Sequence, residues 1–333
     1  MVDINKIIES LDWSKEPKGL YEPIGYALSA GGKRLRPKLC LLGAQIITDR
    51  PTGCKTADGC KTANAVRDVL PAALALEVFH NFTLLHDDVM DKAQMRRGRP
   101  CVHIRWNENT AILSGDQMLI EAYKLLSGVP ADKLGECLRL FNEMATGICE
   151  GQQLDVDFEE REDVTIADYM EMIRLKTAVL LATALRMGGY IAGASELQQQ
   201  ALYDAGIHLG LAFQIEDDLL DCYGDEKTFG KAIGGDIREG KKTFMYLTAL
   251  QLDRCGAPVG PQAELAVGPL RCKTGYGLED VLAEYDRLGV KQKAIEAIEV
   301  ETNKALEAIR QLPDNDARAE LEALAHKLMN RNI

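Results

Sequence analysis

The strongest constraint on how this chain folds is the near-continuous recurrence of apolar residues at steps of three and four. Residues 72–91 place Leu74, Val78, Phe82, Leu85 and Val89 at that spacing, and residues 168–187 repeat it with Met172, Leu175, Val179, Ala182 and Met187. Residues 201–222 and 291–311 keep the same period. Such spacing belongs to helices that bury one face. No run alternates strictly with β-branched enrichment, so no strand is expected and the predicted class is all-α. Pro37, Pro71 and Pro100 fall where helix boundaries are expected. Two segments, 50–66 and 254–277, read as surface loops, and neither resembles a flexible linker between separate halves. The whole chain, 1–333, is therefore expected to form one domain. The pentapeptide GCKTA occurs twice in the first loop, with no His or third Cys nearby to build a metal site around it.

Two acidic clusters interrupt the apolar pattern. Residues 84–91 read LLHDDVMD and residues 213–221 read FQIEDDLLD, so each carries D-D-x-x-D inside a helix. Residues four apart lie one turn apart on one helix face, which pairs Asp87 with Asp91 and Asp217 with Asp221. Like charges at that spacing repel, and neither motif contains a Lys or Arg to offset them. A divalent cation between the carboxylates removes the repulsion. Mg²⁺ suits this arrangement, because it prefers oxygen and takes one or two carboxylates, completing its shell with water and phosphate. A solvated acidic face explains one such cluster; two in matching apolar contexts point to metal.

Charge sharpens the reading. With 39 Lys and Arg against 51 Asp and Glu the net charge is −12, which argues against a nucleic-acid partner. The few basic residues are nonetheless gathered beside glycines: Lys33, Arg34, Arg36 and Lys38 after Gly31–Gly32; Arg96, Arg97 and Arg99 around Gly98; Lys231 after Gly230; Arg238, Lys241 and Lys242 around Gly240. Gly allows close backbone approach and Arg fits phosphate oxygens with a planar fork. An acidic metal motif followed at once by such a cluster points to a diphosphate ligand. No G-x-x-x-x-G-K-[ST] loop is present, so a P-loop enzyme is not expected. Nine scattered Cys without a C-x-x-C pair, an N-terminus without a basic start and apolar run, and no stretch of ~20 uninterrupted apolar residues predict a cytoplasmic chain that does not span a membrane.

At these residues the sequence resembles the trans-isoprenyl diphosphate synthases, the farnesyl and geranylgeranyl diphosphate synthase family. The motifs occur in order over about residues 20–330: GGKRLRP at 31–37, LLHDDVMDKAQMRRGRP at 84–100, Lys176–Thr177, FQIEDDLLD at 213–221 and GKAIGGDIREGKKT at 230–243. The resemblance implies a helical bundle around a deep central cavity, a homodimer, and three Mg²⁺. It also implies a prenyltransferase condensing isopentenyl diphosphate with dimethylallyl, geranyl or farnesyl diphosphate. It makes Asp87, Asp88 and Asp91 the first aspartate motif and Asp217, Asp218 and Asp221 the second, with Asp87, Asp91 and Asp217 as direct metal ligands. By the same resemblance Arg96, Lys176, Lys231 and Lys241 face the allylic diphosphate. Lys33, Arg36, His80 and Arg97 face isopentenyl diphosphate, and Thr177 and Gln214 line the reacting centre. His86 is placed no closer than behind the ligands.

The implied reaction ionises the allylic substrate, joins the cation to the double bond of isopentenyl diphosphate and releases a proton, so no side-chain nucleophile is required. Phe79, Phe82 and Thr83, on the helix leading to Asp87, are the expected chain-length residues, and the expected product has fifteen to twenty carbons, twenty favoured. A terpene cyclase would carry N/D-D-x-x-S/T-x-x-x-E as its second motif, where this chain has Asp221 and Asp225. An HD-type phosphohydrolase needs more suitably spaced His than His80, His103, His208 and His326 provide. An inactive regulatory subunit would normally have lost part of the aspartate motifs, and both are intact.

Overall fold

The apolar stretch that leads to the first aspartate motif becomes part of a long helix. In the computed structural model, which describes residues 3–49, 59–224, 233–256 and 277–329, this helix, α4 (Gly59–Met90), runs for 32 residues. Before it come α1 (Ile4–Glu9), α2 (Lys18–Leu28) and α3 (Leu35–Thr48). After it come a hairpin, β1 (Met95–Arg96) and β2 (Arg99–Pro100), then α5 (Val102–Arg105), α6 (Glu108–Leu126), α7 (Ala131–Glu160) and α8 (Ile166–Ile173). A π-helical turn (Arg174–Ala178) leads into α9 (Val179–Ile191) and α10 (Glu196–Tyr223). The described chain closes with α11 (Gly235–Glu239), α12 (Phe244–Gly256), α13 (Leu278–Leu288), α14 (Val290–Ile309) and α15 (Asp316–Met329). The fold is all-α.

The chain divides into two compact units. The first holds Met1–Asn142, Thr183–Tyr203 and Leu312–Ala319; the second holds Glu143–Ala182, Asp204–Gln311 and Glu320–Ile333. In the first unit α4 is packed between α3 and α6, and every residue from Ala72 to His80 is buried. A helix that is apolar on all sides is stable only when covered this way. Its segment Ala65–Met90 has a mean hydropathy of 1.3, enough by length and composition to cross a membrane, but 67% of that window is buried within the protein. It is therefore the core helix of its unit. Close crossing of α3 and α9 depends on Gly43 and Gly188: a Cβ on Gly188 would lie 1.8 Å from the Cys40 carbonyl oxygen, and one on Gly43 2.2 Å from that of Leu185.

In the second unit the same device seats α10. Gly206 and Gly210 lie against Ala182 and Ala178, where a Cβ would come within 2.3 and 2.4 Å of the opposing Cα atoms. Gly206, Gly210, Gln214 and Asp218 are steps of four, so the stripe that allows the close crossing continues into the second aspartate motif. Gly151 on α7 likewise lets the backbone of Lys176 approach to where a Cβ would sit 2.3 Å from its nitrogen.

Four expectations need correction. The second GCKTA copy, at 59–63, is helical and opens α4, as do residues 64–66; the first copy lies outside the described residues. Residues 60–70 contain neither Gly nor Pro, so nothing local keeps the helix from starting early. Residues 254–256 are the last turn of α12, while 257–276 lie outside the described residues. Pro71 sits inside α4. One missing N–H is tolerated there because burial on both sides holds the helix. One short hairpin exists where no strand was expected, with Arg96 opposite Arg99.

Candidate active site

The basic cluster of the first unit is built around backbone strain. Arg97 and Gly98 form the two-residue loop of the hairpin, with φ of 52° and 73°. Two positive φ values are what a type I′ turn requires, and Arg is not a residue that adopts one readily. The conformation turns the Arg97 guanidinium towards the Gly31–Gly32 backbone, where it donates to the Gly31 carbonyl. Gly32 has φ of 131°, and a Cβ there would lie 2.9 Å from Arg97 Cζ. The backbone conformation favours glycine, and the flexible Arg97 guanidinium fills the space that a side chain there would take.

Arg34 also has a positive φ, 47°, as the N-cap of α3. It is buried. Its Nη1 donates to Glu77 Oε1 at 2.7 Å, Nη2 to the Leu28 carbonyl at 2.5 Å and Nε to Asn5 Oδ1 at 3.3 Å. The Glu77 carboxylate also accepts from Asn81 at 3.1 Å. This pair fastens the GGKR loop to α4, leaving Lys33 exposed and Arg36 half-buried on either side. His80, one turn after Glu77, is buried. Burial, then the charges of Arg36, Arg97, Arg96 and Arg34, hold its pKa well below the usual histidine value, so it is neutral at neutral pH.

The first aspartate motif divides by role. Asp88 is buried, and Arg96 grips one of its oxygens, with Nε at 2.7 Å and Nη2 at 2.6 Å. The buried Cys101 thiol also hydrogen-bonds to this carboxylate; burial and the Asp88 charge push the thiol up to about 12. Asp87 is half-buried and Asp91 exposed. Of the chain-length candidates, Phe79 is buried in an aromatic cluster, 5.1 Å from Phe141 and 5.5 Å from Phe82. Phe82 is only half-buried and meets His86 at 4.8 Å. Thr83 donates back to the His80 carbonyl at 2.9 Å. His86 lies against α6, its Nε2 3.1 Å from the Ile112 carbonyl oxygen.

The second unit repeats the division. Asp218 is buried and accepts from Tyr169 Oη at 2.5 Å, the Phe244 N–H at 3.0 Å and Gln214 Nε2 at 3.2 Å. Burial and then the neighbouring Asp236 charge still push its carboxyl up to about 8. Asp221 is buried and accepts the Asp236 N–H at 3.1 Å. Asp217 is half-buried. Lys176 lies in the π-helical turn and donates to Asp155 Oδ2 at 2.6 Å. Such turns are rare and recur at functional sites. Thr177, the next residue, donates to Gln214 Oε1 at 3.1 Å. Lys241 follows α11 and pairs with Glu239 at 2.9 Å. Lys231 lies outside the described residues.

Among the described residues no group of three or more His, Cys, Asp or Glu side chains converges to hold a metal by itself. The more open Asp87, Asp91 and Asp217 offer only carboxylate oxygens, which suits a hard cation that needs one or two of them and takes phosphate as well. The residues fit Mg²⁺ on those terms. Sequence reasoning missed Glu77, Tyr169, Asp155 and Cys101 as supports. Each acts on a motif far along the chain, so no local spacing announced it.

Both the sequence and the fold are similar to those of known proteins. Residues 17–257, more than half of the chain, match the family model described as polyprenyl synthetase. A geranylgeranyl diphosphate synthase of Methanosarcina mazei is 40% identical over 250 residues, covering 74% of this chain and 72% of that protein. A geranylfarnesyl diphosphate synthase of Natronomonas pharaonis is 38% identical over 327 residues, covering 96% and 92%. The crystal structure of a polyprenyl synthase from Caulobacter crescentus, complexed with calcium and isoprenyl diphosphate, superimposes with a TM-score of 0.81 at 29% identity, covering 99% of this chain and 94% of that one.

Proposed function

We propose, because the chain belongs to the polyprenyl synthetase family and is a prenyltransferase, that it condenses isopentenyl diphosphate with an allylic diphosphate. The primer is dimethylallyl, geranyl or farnesyl diphosphate, and the product is a prenyl diphosphate of fifteen to twenty carbons, twenty favoured. The observation that carries the reading is the shared division of both aspartate motifs. In each, the second aspartate is buried and held by the protein, Asp88 by Arg96 and Asp218 by Tyr169, while the first stays more open. A purely structural acidic face would not need that arrangement twice.

In this reading Asp87, Asp91 and Asp217 hold Mg²⁺, three ions in all, which when bound supplies Lewis-acid neutralisation of the leaving diphosphate. The Caulobacter neighbour, with its calcium and isoprenyl diphosphate, supports a cation–diphosphate site. Lys176, Arg96 and Lys241 bind the allylic diphosphate, with Lys231 beside them. Lys33, Arg36, Arg97 and neutral His80 bind isopentenyl diphosphate. The allylic carbon–oxygen bond breaks with its electron pair on diphosphate. The double bond of isopentenyl diphosphate supplies the pair for the new carbon–carbon bond, and the proton lost passes to the released diphosphate. Thr177 and Gln214 hold fixed dipoles beside the cation, and water must be excluded because it would capture that cation. The protein is proposed to act as a homodimer, which the exposed apolar residues Ile112, Leu113, Ile120 and Tyr123 of α6 support.

Incubation with Mg²⁺, isopentenyl diphosphate and each primer in turn, followed by mass analysis, tests the reading. A prenyl diphosphate one or more five-carbon units longer is expected, and absence of product with every primer would overturn it. Phe82, the more open ring of its cluster, is proposed to limit chain growth, so Phe82→Ala is expected to move the product towards longer chains. An unchanged product distribution by mass spectrometry would remove that role from Phe82.

A further inference from the structure

We infer that Tyr169 is a positioning residue for the condensation: through Asp218 it fixes the orientation of the Gln214 amide against Thr177. This rests on the proposed function, which places Thr177 and Gln214 at the reacting centre. A glutamine side chain has a donor end and an acceptor end, and exchanging them costs little unless a partner specifies one of them. Gln214 Nε2 donates to Asp218 Oδ1 at 3.2 Å, and Gln214 Oε1 accepts from Thr177 Oγ1 at 3.1 Å. The Thr177 hydroxyl can give or take a hydrogen bond, so the selection falls to Asp218, which in its ionised form can only accept and therefore keeps the amide nitrogen towards itself, provided that the carboxylate stays where it is.

Tyr169 and the Phe244 N–H keep it there. Both donate to Asp218 Oδ2, at 2.5 and 3.0 Å, leaving Oδ1 to face Gln214. Tyr169 is 2% exposed and Asp218 4%, so water does not readily replace the phenol. The result is a line of hydrogen bonds from α8 through α10 to the π-helical turn that carries Lys176 and Thr177. Tyr169 touches neither Thr177 nor Gln214 through this line; it acts by holding the group that orients them. The Asp218 carboxylate then serves as the buried anchor of the second motif.

Tyr169→Phe removes one O–H and keeps the ring against Phe244. The expected result is a fall in kcat of about 10- to 100-fold with KM for both substrates within about twofold of the parent, because orientation rather than binding is lost. The melting temperature and helicity should stay near the parent's, and a larger share of allylic diphosphate should end as the prenyl alcohol. In a Gln214→Ala background the same change should cost only about twofold, since residues acting through one another are not additive. Asp218→Asn, which keeps the volume but mismatches one donor–acceptor pair, should show the same kcat-selective loss and keeps the test open if Tyr169→Phe does not fold. A parental kcat in Tyr169→Phe, an equal loss in the Gln214→Ala background, or a kcat loss that follows a fall in melting temperature would overturn the inference. Failure of the proposed function shows differently, as an inactive parent chain with every primer.

Discussion

Replacing Asp87 or Asp217 by alanine is expected to lower turnover by about 10³-fold or more while leaving far-UV helicity and the melting temperature near the parent's, since each removes stabilisation of developing charge and little packing. Both carboxylates are more open than their buried neighbours Asp88 and Asp218. Removing one of two like charges on a helix face also relieves repulsion, so a small gain in stability is expected in the absence of Mg²⁺. Asp88→Ala should behave differently. It leaves the Arg96 guanidinium and the Cys101 thiol without the carboxylate they share, and it should lose stability as well as rate. Steady-state product formation, paired with thermal melts of the same preparations, separates the two patterns. Near-parental turnover in Asp87→Ala or Asp217→Ala would exclude the metal role assigned to that residue.

Much of this division lay beyond the sequence for a physical reason. Helical period is local, so residues 72–91 announced a buried helix, and the fourfold spacing of Asp87 and Asp91 announced a shared face. The repulsion along that face points to a cation. The spacing says nothing of the protein groups that hold the motif carboxylates: Arg96 from the hairpin grips Asp88, Tyr169 from α8 and the Phe244 N–H hold Asp218, and the Asp236 N–H reaches Asp221. Those partners stand 8, 49, 26 and 15 residues from the aspartates they serve. No sequence period connects them. Pro71 shows the same limit from the other side. Local rules end a helix there, and burial of α4 between α3 and α6 overrides them. Gly31–Gly32 was legible as a turn, but its neighbour was not: the space beside Gly32 is filled by the guanidinium of Arg97, 65 positions later and itself held in a strained turn.

The GGKR loop carries the second large effect. Glu77→Ala is expected to destabilise the protein by about 3–5 kcal/mol, because it leaves Arg34 buried without its counter-charge. The pair is 4% and 2% exposed at its side chains, so water cannot take the place of the carboxylate without opening the core of the first unit. Asn81 would lose a partner in the same step. The loss should extend to function, because Arg34 ties the loop bearing Lys33, and the start of α3 bearing Arg36, to α4 one turn before His80. With the tie broken, KM for isopentenyl diphosphate is expected to rise more than KM for the allylic primer. The double change Arg34→Met with Glu77→Leu separates the two consequences. Replacing both charges with apolar groups of similar size removes the stranded cation, so most of the stability should return. The hydrogen bonds from Arg34 to Leu28 and Asn5 do not return, and the loop stays unanchored. Urea unfolding midpoints should therefore recover in the double variant while the raised KM for isopentenyl diphosphate persists. Recovery of both together would show that the pair acts on the site only through global stability, and recovery of neither would show that Arg34 is held chiefly by its contacts to α1 and α2.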